Sequence, residues 1–236
     1  MSPSRLEAFS DAVIAIAITV LVLGLHVPHA ATAGGLWRAI GHEWPYFAGY
    51  ALSFLTIGIM WVNHHALVHR LGRVSRPILY WNLYLMAWIA IVPFTTELLT
   101  ENLKLASQLG WGHSGPAATA AVVYNVSFAF AGTGFLAMWW HLVHHPELRA
   151  PGTDIRVAEV ALRRSTRGPV LYGVAAVVSA FSPLVGVALA AGIALSFMFG
   201  PDTADREQLI ADDETARRHQ QEAAWDRSSW EPPTEG

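Results

Sequence analysis

The chain contains no cysteine. Disulfides and thiolate metal sites are therefore excluded. Charge is also scarce. Only 14% of the 236 residues are Asp, Glu, Lys or Arg, against roughly 25% in a soluble domain. Lys104 is the single lysine among 15 basic residues, a bias that fits a GC-rich bacterial genome. The patterns GxxxxGKS/T, GxSxG and HExxH do not occur, so the chain lacks these NTPase, hydrolase and metalloprotease signatures. A TVGYG filter and a run of helical arginines suited to voltage sensing are missing too.

What the chain has is apolar length. Apolar residues make up 53% of it and come in blocks, several of them near the roughly 20 residues that cross a bilayer. The blocks are Ala12 to Leu25, Trp44 to Leu71, Ile78 to Leu99, Ala117 to Val143 and Pro169 to Phe199. The last is too long for one span. Ser182-Pro183 divides it into Val170 to Phe181 and Leu184 to Phe199. The expectation is an all-α polytopic membrane protein with six transmembrane helices in residues 1–200. Residues 201–236 form an acidic cytoplasmic tail, helical between Ala204 and Trp225 and disordered after Pro232.

Orientation follows from the basic residues. With both termini cytoplasmic, thirteen of the fifteen lie inside, and only Arg38 and Lys104 lie outside. Thr153 to Arg167 alternates charged and apolar residues, as an interfacial helix does. Trp37, Trp44, Trp81, Trp111, Trp139 and Trp140 stand near span ends, where interface anchors belong. A rival reading takes Arg5, the first apolar run and Ala31-Thr32-Ala33 as a cleavable signal peptide. The acids Glu7 and Asp11 ahead of the run argue against it.

Asp11 sits at the edge of the first span, where an ionisable group needs a partner. Arg5 is six residues away and does not share its helix face. Candidate partners from other spans are Trp61, His64, His65 and Asn82. Further along, Ile16, Val20 and Leu23 fall at i, i+4 and i+7, one stripe of a helix, with Thr19 beside it. Such a stripe packs or faces lipid by default. As a ring it can constrict a pore and gate it by dewetting. His65 and His69 share a face, a spacing that can bind zinc. No carboxylate completes the second-span set, so no metal site is assigned. His141, His144 and His145 repeat the pattern.

Arg5, Phe9, Ser10 and Asp11 match the R-x-x-x-F-S-D motif, and the chain resembles the transmembrane protein 175 family of potassium channels. Trp61-Val62-Asn63-His64-His65, Asn82-Leu83-Tyr84-Leu85 and Pro93-Phe94-Thr95 extend the likeness to about residue 100. The resemblance implies a homotetramer of six-span subunits with a pore lined by the first helix. It implies an apolar constriction at Ile16, Val20 and Leu23, and a threonine layer at Thr19 that favours K+ over Na+. It also implies a network of Arg5, Phe9, Ser10 and Asp11 with Trp61, His64 and Asn82. Animal members place a serine layer where this chain has Ala15, so selectivity is expected to be modest.

The resulting expectation is a passive K+ channel of the bacterial inner membrane. It has no enzymatic activity, no cofactor and no nucleic-acid partner, and its surroundings are lipid and permeant monovalent cations. Glu97 and Glu101 are expected to concentrate cations at the outer mouth. The rival is a proton- or metal-coupled secondary transporter that uses Asp11 and the membrane histidines.

Overall fold

The computed structural model describes residues 2–29, residues 32–199 and Thr215. The chain divides into two compact units, Met1–Gly200 and Pro201–Gly236. The expected tail helix and its disordered end lie outside the described residues, Thr215 aside. Among the described residues the fold is all-helical, and the only strand-like pairing is one antiparallel bridge between Leu71 and Arg149.

Among the described residues nine α-helices follow in order: α1 Pro3–Val20, α2 Ala33–His42, α3 Trp44–Val68, α4 Arg76–Ala90, α5 Val92–Leu109, α6 Gly115–His144, α7 Ile155–Ser165, α8 Arg167–Phe181 and α9 Pro183–Phe199. Among the described residues four helical stretches are long and apolar enough to cross a bilayer: Pro3–Gly24, Trp44–Val68, Arg76–Leu109 and Gly115–His144. The chain is thus a polytopic membrane protein. The helices α8 and α9 have 15 and 17 residues. Their rise of roughly 22 and 26 Å falls short of a hydrocarbon core of about 30 Å.

Proline sets much of this punctuation. A proline stands in the first turn of α1, α3, α4, α5 and α6, where its missing N–H costs nothing. Pro93 interrupts the long third stretch, so that α4 passes into α5 at Ile91. At the end of α8, Ser182 is extended and Pro183 opens α9, the break that Ser182-Pro183 predicts. Ser75 caps α4 and Asp154 caps α7 through their side chains.

Several boundaries differ from the apolar blocks. The first helix begins at Pro3 rather than Ala12, because Arg5, Glu7 and Asp11 are accommodated on its less buried faces. The third stretch continues past Leu99 to Leu109. There Leu99, Thr100, Leu103 and Ala106 form a buried face among polar neighbours. Helix α2 belongs to none of the blocks. Trp139 is not an exposed anchor: it is buried, with the Arg70 guanidinium 5.9 Å from its ring centre.

The core gathers around α6, which packs against α4, α5, α7, α8 and α9. Small residues allow this closeness. A Cβ on Gly132 would lie 2.8 Å from Pro169 Cδ, and one on Gly134 would lie 3.0 Å from Leu85 Cβ. Buried hydroxyls tie the helices further. Ser53 of α3 lies 2.7 Å from Thr96 Oγ1 of α5 and 3.0 Å from Tyr124 Oη of α6. At the far end of α6, the Arg149 guanidinium donates to the carbonyls of Leu142 and Val143, closing an otherwise open helix terminus.

Candidate functional site

Helix α1 packs on α3 and α4. Its buried residues are Leu6, Ser10, Ile14 and Ala17, followed by Leu21 in a 3-10 turn over Leu21–Gly24. At 3.6 residues per turn, these positions share one face. Ser10 is the polar member of that face, and it is fully buried.

Ser10 meets two other helices. Asn82 Nδ2 of α4 donates to Ser10 Oγ at 3.0 Å. The Ser10 hydroxyl itself faces the Leu6 carbonyl at 2.9 Å and Asn82 Oδ1 at 3.2 Å. His64 Nε2 of α3 lies 2.8 Å from the same Asn82 Oδ1. A carbonyl oxygen only accepts, so Nε2 carries the proton in this contact. Ser10, His64 and Asn82 are all buried. One asparagine amide thereby joins α1, α3 and α4.

Asp11 lies beside this knot and has a separate partner. Trp61 Nε1 donates to Asp11 Oδ1 at 2.9 Å. Of the candidate partners for Asp11, the indole makes the hydrogen bond, while His64 and Asn82 bond in the Ser10 cluster. His65 bonds Glu7 instead, with Nδ1 2.8 Å from Glu7 Oε1. His69 Nε2 is 3.7 Å from that oxygen. A carboxylate does therefore stand against the second-span histidines, and α1 supplies it. Sequence reasoning missed this because it looked for the acid on the histidines' own span.

Arg5 and Phe9 stand outside the hydrogen-bonded cluster, and both are exposed. The helix period explains this. Arg5, Phe9, Ile16, Thr19, Val20 and Leu23 fall within about 100° of arc, opposite the buried face. Ile16 is 63% exposed in the single chain, Val20 39% and Leu23 79%. This face thus presents an apolar stripe with one hydroxyl in it. Thr19 Oγ1 donates back to the Ile16 carbonyl at 2.9 Å. That bond uses the hydroxyl proton and leaves oxygen lone pairs free to meet a cation.

Beside the C-terminal half of the stripe is a cavity of about 590 Å³. Ile16, Val20 and Leu23 line one side of it, and Tyr46, Thr96 and Glu97 are among the residues of the other. Glu101 lies 3.4 Å from His26 Nε2. The three histidines at the end of α6 have ordinary partners. His141 faces Ser75 Oγ, His144 the Trp140 carbonyl and His145 the Glu147 carboxylate.

Comparison with known proteins fits this arrangement to a family. Residues 5–93 match the family model described as endosomal/lysosomal potassium channel TMEM175. The chain is 40% identical over 168 residues to a potassium channel of Streptomyces collinus, covering 71% of this chain and 78% of that one. It is 34% identical over 195 residues to a potassium channel of Chamaesiphon minutus, covering 82% and 92%. Among solved structures it is similar to a lysosomal potassium-selective channel TMEM175 homologue from Chamaesiphon minutus. The TM-score is 0.70 at 32% identity, over 83% of this chain and 96% of that one. These relatives are potassium channels by name, and the residues matched to the family model include Ser10, His64 and Asn82. The chain belongs to the TMEM175 family of potassium channels.

Proposed function

We propose that this chain forms a K+-permeable channel in the bacterial inner membrane, as a homotetramer whose pore is lined by α1. The observation that carries this reading is the exposed stripe of Ile16, Val20 and Leu23 on a helix whose opposite face is locked to α3 and α4. Four such stripes facing one axis would exclude water and close the path to ions by dewetting. Thr19 sits on the same face, where its oxygen replaces part of a cation's hydration shell. One hydroxyl per subunit gives a thin filter and hence modest preference for K+ over Na+. Conduction of this kind is passive and needs no cofactor.

Six spans with both termini cytoplasmic agree with the distribution of arginine. In that topology α8 and α9 each cross, with Ser182 at the outer turn. Helices of this length are accommodated by local thinning of the bilayer. The Ser10–Asn82–His64 knot and the Asp11–Trp61 bond fix the rotation of α1 and so aim Ile16 and Thr19 at the axis. Arg5 and Phe9 continue the same face toward the cytoplasm.

The test is K+ flux through purified protein in vesicles. Ile16→Ala removes a large apolar group at the constriction and is expected to raise flux several-fold. Thr19→Ala is expected to lower the K+ to Na+ ratio while flux persists. Unchanged flux in the first and an unchanged ratio in the second would overturn the assignment of α1 to the pore. Flux that requires a pH gradient and vanishes in Asp11→Asn would instead identify a proton-coupled transporter.

A further inference from the structure

Near the start of α1, Glu7 reaches two histidines of α3. His65 lies within α3 and His69 is its C-terminal cap, with helical φ −60° and ψ −23°. The four-residue spacing is therefore preserved, and both rings project from one face. Their centres are 4.2 Å apart in an edge-to-face arrangement. Glu7 Oε1, His65 Nδ1 and His69 Nε2 all lie within 4.8 Å of one another.

The geometry points to a site for a divalent transition-metal ion of the zinc class, held by Glu7, His65 and His69. Two imidazoles and one carboxylate form an established ligand set for zinc. Tetrahedral bonds of about 2.0–2.1 Å place neighbouring donor atoms roughly 3.3 Å apart. The measured separations of 2.8 and 3.7 Å from Glu7 Oε1 bracket that value. Small rotations of exposed side chains suffice to complete the triangle. The histidine side chains are 49% and 62% exposed, so an ion can enter, and a water molecule fills the fourth position.

Hydrogen bonding alone satisfies the cluster less well. His65 reaches Glu7 through the 2.8 Å contact. His69 at 3.7 Å is then too far for a hydrogen bond to Glu7. One divalent ion engages all three donors and links the first turns of α1 to the end of α3. His65 lies one turn from Trp61, the donor to Asp11. The metal thus ties the two helices together beside their existing hydrogen bond. The pore assignment is not needed for this inference.

The experiment is calorimetric titration of the full-length protein in detergent with Zn2+ alone. The expected result is saturable binding of one equivalent per chain. Glu7→Gln and His69→Ala should each weaken it by more than the roughly 10- to 100-fold lost with an outer-shell partner. The double variant His141→Ala/His145→Ala, which alters the other histidine pair, should bind as the wild type does. Two readings on the wild type guard against misfolded variants. Bound Co2+ should show the intense visible absorption of tetrahedral nitrogen and oxygen ligation, and Zn2+ should raise the unfolding temperature. No saturable binding by the wild type, or binding that survives in both Glu7→Gln and His69→Ala but is lost with His141 and His145, would overturn the site. The former result would leave the cluster as a Glu7–His65 hydrogen bond with His69 beside it.

Discussion

Two adjacent residues of α1 have different physical weight. Asp11 is conspicuous in the sequence because a charge at the edge of an apolar run demands a partner. Yet Ser10 is the residue that is fully buried, and its partner Asn82 serves three helices. The signal was present. Leu6, Ile14, Ala17 and Leu21 define the inward face, and Ser10 lies one turn from both Leu6 and Ile14. The link from Glu7 to His65 and His69 was less legible, because no periodicity within one helix reports a contact between two. The difference between Ser10 and Asp11 predicts a ranking. Asn82→Ala leaves His64 Nε2 without its partner, while Ser10 keeps the Leu6 carbonyl, at a cost of about 1–3 kcal/mol for an orphaned buried group. Trp61→Phe removes a neutral donor from a half-exposed carboxylate that water can reach, and should cost at most about 1 kcal/mol. Thermal unfolding of the detergent-solubilised variants measures both. A larger loss for Trp61→Phe would mean that the outer bond, not the buried knot, holds α1.

At the scale of elements, breaks were easier to read than extents. Ser182-Pro183 marked the turn between α8 and α9 because proline acts locally, through its ring and its missing N–H. The length of α5 was not marked, since its buried stripe of Leu99, Thr100, Leu103 and Ala106 is interleaved with Glu101, Asn102 and Lys104. An apolar-run criterion stops where polar and charged residues cluster, whereas a helix needs only one apolar face. Lys104 in fact pairs with Glu43 at the start of α3 and lies 5.1 Å from the Tyr46 ring centre. Helix α2 had still less signal, being short and glycine-containing with no buried residue. The α8–α9 turn also makes a quantitative prediction. A Cβ on Gly186 would run into Ser179, with Ser179 Cα and Cβ each 2.8 Å away. Backbone cannot rotate aside as a side-chain tip can, so Gly186→Ala should destabilise by about 1–3 kcal/mol through overpacking. Gly192, on the same helix, has nothing within 4 Å of its would-be Cβ. Gly192→Ala should be neutral or stabilising by up to about 1 kcal/mol, because alanine is the better helix former. Unfolding temperatures of the two variants give the comparison, and equal shifts would mean that α8 and α9 are not in close contact.

For the whole molecule, the decisive feature is an apolar face that the other described residues leave exposed. Exposed apolar surface in a membrane protein is ordinary where lipid covers it, so exposure alone does not separate lipid from a second copy. The two environments differ in what lies opposite. At an axis of symmetry, each subunit's residue meets its own counterpart. On a lipid-facing helix it does not. The absence of cysteine makes this difference measurable, because a single introduced thiol has no competitor. Leu23 and Phe181 are 79% and 87% exposed and so are matched in accessibility. In the proposed tetramer Leu23 lies on the pore-facing side of the α1 end and Phe181 at the end of α8 on the periphery. Oxidation in native membranes should then convert Leu23→Cys largely to disulfide-linked dimers, since Cα atoms must come within about 7 Å to form the bond. Phe181→Cys should stay monomeric under the same conditions. Non-reducing electrophoresis reads both. If Phe181→Cys dimerises and Leu23→Cys does not, the subunits meet through α8, and the stripe on α1 faces lipid instead of a pore.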